Sequence, residues 1–388
     1  MKILLINGGR GAKEIIKHLI KNKRNNVISL VNAYDDGKST GEIRKHFNIL
    51  GPSDIRKVQQ NFLDIKNKHF RFINKVFDFR FDKNISREEA LCQISSKNFK
   101  SKKININFNL QKNLYAKEFS YFLNVTYKHF LNKKFIKFNF SDCSLMNLVY
   151  VGAIDLYKGK LSLATSYFNK LLPLKGKVII NSDDLRFLVG IRENGEIIKD
   201  EEKIVNFRSN VRISKLMLLK DKKDIKKIDI RKKKFVHLPA RITEESKFYI
   251  ENSDVIIYCP GTQHSSLLPT YMTTGFCKSI KLNKNAKKFF ITNIGEDYET
   301  PSFTASDYIV NAYQYINSIE NKKLRYDKLF NYNLVNLPNK LKKNFVPVDY
   351  YKLENINVKT IIKNFSKFSD KGKHDGKKLC DEIFNLLA

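Results

Sequence analysis

The stretch "KILLINGGRGAKEIIKHLI", residues Lys2 to Ile20, decides the fold. A short apolar run is followed at once by "NGGRG" and then by apolar residues at the spacing of a helix. Strand, glycine turn and helix in this order are typical of the first unit of a Rossmann-like fold, in which glycines let backbone amides approach a phosphate. We therefore predict that Gly8, Gly9 and Gly11 bind phosphate; a purely structural turn is the alternative.

The next predicted strand ends in two adjacent carboxylates. "NVISLVNAY", Asn26 to Tyr34, is almost continuously apolar, as expected for a parallel strand buried on both faces. Asp35 and Asp36 follow it, and two carboxylates beside a phosphate would repel the phosphate unless a cation intervened. We therefore predict that Asp35 and Asp36 hold Mg²⁺ and are catalytic. An Asp-Asp-Gly turn with a helix cap is the alternative.

The residues after this aspartate pair add donors that suit phosphate oxygens. Ser39 and Thr40 contribute hydroxyl groups in "GKSTG". In "GPSDIRK", Ser53 and Asp54 suit the N-cap of a helix. Arg56 in the same motif suits either a phosphate clamp or an ion pair with Asp54.

A third candidate motif, "CPGTQHSS", stands between an apolar run and a predicted helix. Its glycine and hydroxyl groups predict an anion-binding nest made by Gly261, Thr262, Ser265 and Ser266. His264 in the same loop could act as an acid or base, although a lone loop histidine is more often solvated or a cap.

Similar strand ends recur along the chain and organise the predicted fold. "KVIIN", "SDVIIYC" and "KKFFITN" each run into small, polar or acidic residues. This repetition predicts an α/β, Rossmann-like, three-layer fold with a doubly wound, mostly parallel sheet. We assign residues 1–320 to this nucleotide-binding domain, with a helical insertion at about 65–140 that could cover the cleft. Residues 321–388 are predicted to be a partly helical C-terminal extension.

Composition excludes several other classes of protein. Hydrophobic residues make up 42% of the 388 residues, which is too many for a disordered chain. No apolar run reaches the roughly 20 residues of a membrane span. The five cysteines show no CxxC pair, which favours a reducing compartment, and we expect a cytoplasmic protein. The net charge of +33 is spread along the chain, so we interpret it as solvated lysine faces, and a nucleic-acid partner is unlikely.

Taken in order, these motifs resemble those of the 2-phospho-L-lactate transferase family and its UDP-sugar-binding, gluconeogenesis-factor-like branch. The family's GGTG, ADDGGSSG and PPGDIRN motifs are similar to "NGGRG", "AYDDGKSTG" and "GPSDIRK" here. Its asparagine helix motif is similar to "SLMNLVYVGAI", which places Asn147 at the asparagine. "DVIIYCPGTQHSSLLPTYM" and "TASDYI" resemble later family motifs. Arg10 and Lys38 replace smaller family residues, so positive side chains could partly replace the cation.

The resemblance implies a nucleotide diphosphate or nucleotide-sugar ligand at the strand edge, with Mg²⁺ in the transferase branch. That branch moves a phospholactyl group from a guanosine diphosphate adduct to an acceptor hydroxyl. By this likeness, the glycines, Ser39 and Thr40 would cradle the diphosphate, and Asn147 and the Gly261 loop would line the nucleotide side. A homodimer is a possible assembly.

Three functions follow from these observations. The first is a transferase that uses a nucleotide-diphosphate adduct, which the paired carboxylates favour. The second is a non-catalytic sensor of a UDP-sugar, which the hairpin-like "GIRENGEII" favours because it looks more like the sister branch. The third is a nucleic-acid-binding protein, against which the absence of a compact basic or aromatic motif counts.

Overall fold

Seven parallel strands form the main sheet, in the order β12-β11-β10-β9-β1-β2-β5. The computed structural model describes residues 1–64, 67, 70–206, 208–232, 234–320, 323–337, 345–367 and 372–388, without the side chains of residues 38, 202 and 206. The strands of this sheet are β1 (Lys2–Ile6), β2 (Asn26–Val31), β5 (Lys177–Ile180), β9 (Val255–Tyr258), β10 (Lys287–Ile291), β11 (Tyr332–Asn336) and β12 (Lys359–Lys363). This arrangement confirms the predicted parallel α/β fold.

The order of the strands places a topological switch point between β1 and β9. From β1 the chain adds β2 and β5 on one side, whereas β9 and the later strands extend the sheet on the other. Ile3 of β1 is paired with Val27 of β2 and with Val255 of β9. The connections after β1 and β9 therefore lead to opposite sides of the sheet, and open α/β sheets bind ligands at such a switch point.

Helices flank the sheet and bury its apolar strands. Within β1, every residue from Ile3 to Ile6 is at most 1% exposed, as expected for a strand covered on both faces. The helices are α1 (Lys13–Leu19), α2 (Lys38–Phe47), α3 (Ser53–Phe62), α4 (Arg71–Asp78), α5 (Arg87–Ser96), α6 (Leu114–Phe130), α7 (Leu145–Leu156), α8 (Leu161–Leu171), α9 (Glu201–Asn206), α10 (Glu244–Glu251), α11 (Leu268–Tyr271), α12 (Phe276–Leu282), α13 (Ala305–Ile316), α14 (Tyr326–Leu329), α15 (Tyr350–Glu354) and α16 (Gly376–Asn385).

Two small antiparallel sheets accompany the main one. Strands β3 (Asn98–Lys100) and β4 (Asn105–Asn107) form a hairpin. Strands β6 (Phe187–Arg192), β7 (Ile197–Ile198) and β8 (Ile213–Leu219) form a three-stranded sheet. The β6–β7 pair confirms the hairpin predicted for "GIRENGEII".

The predicted helical insertion contains α4, α5, the β3–β4 hairpin and α6. Phe119, Phe122 and Phe130 of α6 are at most 3% exposed, which confirms that this aromatic face belongs to the core. The segment after residue 321 contains helices α14 to α16, and its strands β11 and β12 extend the main sheet. The domain boundary at residue 320, and the covering of the cleft by the insertion, stay predictions.

Candidate functional site

The loops after β1 and β9 touch at the switch point. A Cβ atom at Gly11 would lie 1.9 Å from the carbonyl oxygen of Pro260, so only glycine lets the two backbones approach this closely. A Cβ atom at Gly8 would lie 2.6 Å from Cβ of Ser266. The side-chain amide of Asn32, just after β2, donates to the backbone carbonyl of Ser266. Three strand ends are therefore joined around one crevice.

Gly9 brings this loop against the start of α3. A Cβ atom at Gly9 would lie 2.4 Å from Oδ1 of Asp54. Lys57 Nζ lies 2.8 Å from the same carboxylate oxygen. The predicted ion pair between Asp54 and Arg56 is wrong because Lys57, one helical turn from Asp54, takes the carboxylate. The predicted N-cap is also wrong, since Pro52 occupies that position and no side chain caps the helix.

Asp35 is a buried carboxylate at the end of the second strand. Thr40 Oγ1 donates to its Oδ2 over 3.0 Å, and the Gly37 amide donates to its Oδ1 over 3.3 Å. Burial raises the pKa of Asp35, and the nearby Asp54 carboxylate raises it further. The Asp35 side chain therefore closes the turn to Gly37, but the predicted side-chain cap of α2 is wrong, since no side chain caps this helix. The turn holds a carboxyl group that binds a proton more readily than a solvated aspartate does.

Asp36 is held by a lysine from a distant part of the chain. Lys222 Nζ lies 2.8 Å from Asp36 Oδ2 and 2.9 Å from Asp200 Oδ1. The buried Arg44 lies behind the same turn, where its Nη1 donates to the Tyr34 carbonyl over 2.7 Å. The aspartate pair is thus flanked by two cations, and the sequence motifs predicted neither.

Glu201, the first residue of α9, also lies beside the aspartate turn. Its Oε2 accepts a hydrogen bond from the Asp36 amide over 3.2 Å. Burial raises the pKa of Glu201 to about 9, and the charge of Asp35 contributes in the same direction. Sequence reasoning missed this residue because it lies in an acidic run after a hairpin, with no glycine or strand-end signal beside it.

The anion nest predicted after β9 is filled by a carboxylate of the protein itself. The Ser265 amide donates to Oε2 of Glu299 over 3.0 Å, and its hydroxyl donates to Oε1. Burial raises the pKa of Glu299 to about 8, with a further contribution from Asp297. The amide and hydroxyl of Ser265 are therefore already engaged by the Glu299 carboxyl group, and binding of an external anion by this nest stays a prediction.

The rest of the nest is held in place by side-chain contacts. Gly261 has a φ of +150°, and Asn293 binds both its amide and its carbonyl over 2.9 Å. Thr262 Oγ1 donates to Ser266 Oγ over 2.8 Å. The interpretation of His264 as a solvated loop residue is wrong, because the side chain is fully buried and burial lowers its pKa to about 3.

A buried polar network connects α2, α3 and α7. Asn147 Nδ2 donates to Ser39 Oγ over 3.2 Å and to Ser53 Oγ over 2.9 Å. Its Oδ1 accepts from Arg56 Nε over 3.1 Å, and Arg56 Nη1 donates to the Phe77 carbonyl. Arg56 is only 4% exposed, and its guanidinium is held by Asn147 and Phe77; its role as a phosphate clamp stays a prediction.

The predicted site residues therefore lie around one strand edge. The glycine loop contacts Asp54, whose charge acts on Asp35, and the aspartate turn continues to Glu201. The charge of Glu299 raises the pKa of Glu201. Glu299 in turn accepts a hydrogen bond from Ser265 in the nest after β9. We call this arrangement the carboxylate ring; its members are Asp35, Asp36, Asp54, Glu201 and Glu299. Asp35, Glu201 and Glu299 hold protons more readily than solvated carboxyl groups do, and Asp36 and Asp54 pair with lysines.

The carboxylate oxygens of the ring are chemically suitable ligands for Mg²⁺, but their present contacts favour Mg²⁺ less. Carboxylate oxygens are the ligands that Mg²⁺ prefers. However, both oxygens of Asp35 already accept hydrogen bonds, and Asp36 is paired with Lys222. Among the described residues, no group of three or more His, Cys, Asp or Glu side chains is placed to hold a metal ion. Lys222 thus competes with a cation for Asp36, and the metal role of the two aspartates stays a prediction.

We expect Glu201→Gln to weaken the pH dependence of stability. The folded chain keeps the Glu201 proton up to about pH 9, whereas an unfolded chain loses it near the ordinary pKa of 4.5. The folded state therefore binds more protons in this window, and its stability falls as pH rises. Urea unfolding gives the free energy of unfolding at pH 5 and at pH 8.5. Its decrease between these two pH values should be smaller in the variant than in wild type by at least about 1 kcal/mol. Glu193→Gln, at an exposed glutamate, is the control. If the free energy of unfolding fell equally with pH in wild type and Glu201→Gln, the raised pKa of Glu201 would be contradicted.

The fold and the ring define an α/β protein with a group of carboxyl side chains at the strand edge of its parallel sheet. The family model of the 2-phospho-L-lactate transferase CofD matches residues 3–366, and the chain belongs to this family. A gluconeogenesis factor from Listeria monocytogenes is 24% identical over 397 residues, which cover 100% of this chain and 95% of that protein. The gluconeogenesis factor of Bacillus subtilis is 22% identical over 79% of this chain and 73% of its own.

A solved structure shows the same fold. The crystal structure of a UPF0052 family member from Bacillus halodurans matches with a TM-score of 0.69 and 22% identity. The match covers 99% of this chain and 100% of that chain. In the described part of this chain, no helix has the length and apolar character needed to cross a membrane.

Proposed function

We propose that the crevice beside the carboxylate ring binds a nucleoside diphosphate or a nucleotide sugar. The observation that carries the proposal is the switch point between β1 and β9, where the Gly8 and Gly261 loops meet. Crevices of this kind bind the phosphates of nucleotides through loop amides. The family model supports a phosphate-containing ligand, since the activity in its name acts on a phosphate ester.

We further propose that the chain transfers a phosphate-linked group from this ligand to an acceptor hydroxyl. The hydroxyl oxygen would form a bond to phosphorus while the bond to the leaving nucleoside monophosphate breaks, and the hydroxyl proton would pass to Asp35. Asp35 suits this role because its buried carboxylate has a raised pKa. Thr40 and the Gly37 amide orient the carboxylate, and Asp54 supports its affinity for a proton.

Regulatory binding without turnover is the second candidate function. The Lys222 ammonium occupies the Asp36 carboxylate that a metal-dependent transferase would use for its cation. The relatives named gluconeogenesis factor also favour this function, because their name describes a factor and no reaction. In that case, the bound ligand would stabilise one conformation of the loops at the strand edge and would be released without chemical change.

A ligand screen followed by a turnover assay tests both functions. We expect GDP, UDP or a UDP-sugar to raise the unfolding temperature of the protein. If transfer occurs, incubation with a diphosphate adduct and an acceptor alcohol releases nucleoside monophosphate. Asp35→Asn should retain binding but lose at least about 100-fold in turnover, as expected when a general base is removed. Asp155→Asn, at an exposed aspartate of α7, is the matched control.

The outcomes of the assay separate the proposals. Binding without product in the wild-type protein would support the regulatory function and contradict transfer. Turnover that is equal in wild type and Asp35→Asn would reject the role of Asp35. If none of these nucleotides stabilised the protein, the proposed ligand class would be wrong.

A further inference from the structure

Lys222 connects the small antiparallel sheet to the strand edge of the main sheet. It is the first residue of a 3₁₀ helix, Lys222–Lys227, that follows β8. Its ammonium contacts two carboxylates at once, Asp36 over 2.8 Å and Asp200 over 2.9 Å. Asp36 is separated from Lys222 by 186 residues in the chain, so tertiary structure alone creates this contact.

The two carboxylates on Lys222 differ in exposure. The Asp36 side chain is only 9% exposed, whereas that of Asp200 is 34% exposed and that of Lys222 is 44% exposed. A partly buried carboxylate needs a nearby positive charge or a proton, because burial removes the water that stabilises its charge. The Lys222 ammonium supplies that charge from the solvent side of Asp36.

The aromatic ring of Phe187 fixes the position of the lysine. The Lys222 ammonium lies 5.6 Å from the centre of this ring, and the Arg44 guanidinium lies 5.2 Å from it. A cation near an aromatic face is attracted by the electron density of the ring. Lys222 therefore contacts Asp36, Asp200 and the Phe187 ring, as expected for a lysine that serves as a fixed counterion of the site.

We propose that Lys222 takes the place of a divalent cation beside Asp36 and supplies the positive charge that a diphosphate needs at this edge. This inference rests on the proposed ligand. An ammonium has three N–H donors, and two of them serve Asp36 and Asp200. Among the described residues these are its carboxylate partners, and the Lys222 side chain is 44% exposed, so under this proposal the remaining N–H would donate to a phosphate oxygen that approaches from solvent.

The proposal predicts that the wild-type protein binds its diphosphate ligand equally well with and without Mg²⁺. In Lys222→Met, Asp36 and Asp200 lose their shared counterion and repel a diphosphate. Their oxygens then become open ligands for Mg²⁺, which restores the missing charge. Loss of one lysine would thus convert a metal-independent site into a metal-dependent one.

Calorimetric titration of the full chain with GDP and with UDP tests the proposal directly. In EDTA, we expect Lys222→Met to bind at least about tenfold more weakly than wild type, and Mg²⁺ to restore most of the loss. Lys222→Arg keeps the cation and should bind without Mg²⁺. Lys223→Met, at the adjacent exposed lysine, should behave as wild type. A wild-type protein that binds only with Mg²⁺, or a Lys222→Met variant with unchanged affinity in EDTA, would overturn the proposal.

A measurement without nucleotide separates this inference from the proposed function. Thermal unfolding with increasing Mg²⁺ should show a stabilisation of Lys222→Met that wild type, Lys222→Arg and Lys223→Met lack. Equal responses of all four proteins would refute the replacement of a cation by Lys222, even if no nucleotide were found to bind. If Lys222→Met alone responds but no nucleotide binds, the replacement is supported and the proposed ligand class is the part that fails.

Discussion

Gly11→Ala is expected to destabilise the folded protein by about 3 kcal/mol or more. The added methyl group would lie 1.9 Å from the Pro260 carbonyl oxygen and 3.0 Å from Cα of Gly261, so it meets backbone rather than a side chain that could turn away. Relief requires the loops after β1 and β9 to move apart. Because these loops form the crevice, we expect the proposed nucleotide binding to be lost together with stability. Urea unfolding gives the free energy, and titration gives the affinity.

Gly190→Ala is the matched control for this effect. Gly190 lies in β6, and an added methyl group would find its nearest neighbour at 3.5 Å, an ordinary contact distance. The Gly190→Ala substitution removes the same amount of backbone freedom from the unfolded chain as Gly11→Ala does. If Gly11→Ala unfolded at the same urea concentration as Gly190→Ala, the close approach of the two loops at the switch point would be refuted.

The fold could be predicted because its signals are local. The apolar runs of β1, β2, β5, β9 and β10 were visible in the sequence, and each is followed by small or polar residues where the chain turns. A parallel strand buried on both faces has this composition wherever it lies in the sheet. The same argument did not find β11 and β12, because "YNLVN" and "KTIIK" are mixed with polar residues. The residues of β12 are half-buried or exposed, as is usual at the edge of a sheet.

The site could be predicted only in part, since its remaining members come from long-range contacts. Glycines and paired aspartates at strand ends identified the crevice. Glu201, Glu299 and Lys222 carried no local signal, and their positions depend on how the β6–β8 sheet and the loop after β10 fold back over the edge. The sequence suggested Arg10 and Lys38 as positive side chains that could partly replace a cation, and this stays a prediction. The structure shows a different lysine, Lys222, paired with Asp36, and the Lys38 side chain lies outside the described residues.

Asn147→Leu is expected to have the second large effect, a loss of about 3 kcal/mol in the free energy of unfolding. The asparagine is fully buried and joins Ser39, Ser53 and Arg56 through three hydrogen bonds. Leucine fills a similar volume but provides neither donor nor acceptor, so the buried guanidinium loses its Nε partner. An unpaired buried charge is more harmful than a lost neutral hydrogen bond. Urea unfolding measures this effect.

Asn147→Asp distinguishes lost hydrogen bonds from altered packing. The carboxylate has nearly the same shape, can still accept from Arg56, and can accept from serine hydroxyl groups that rotate to become donors. We therefore expect it to retain more stability than Asn147→Leu. Asn124→Leu, at an exposed asparagine of α6, should change the free energy of unfolding by less than about 0.5 kcal/mol. If Asn147→Asp were as unstable as Asn147→Leu, the packing of α7 against α2 and α3 would be the dominant role of this position, and the polar network would be secondary.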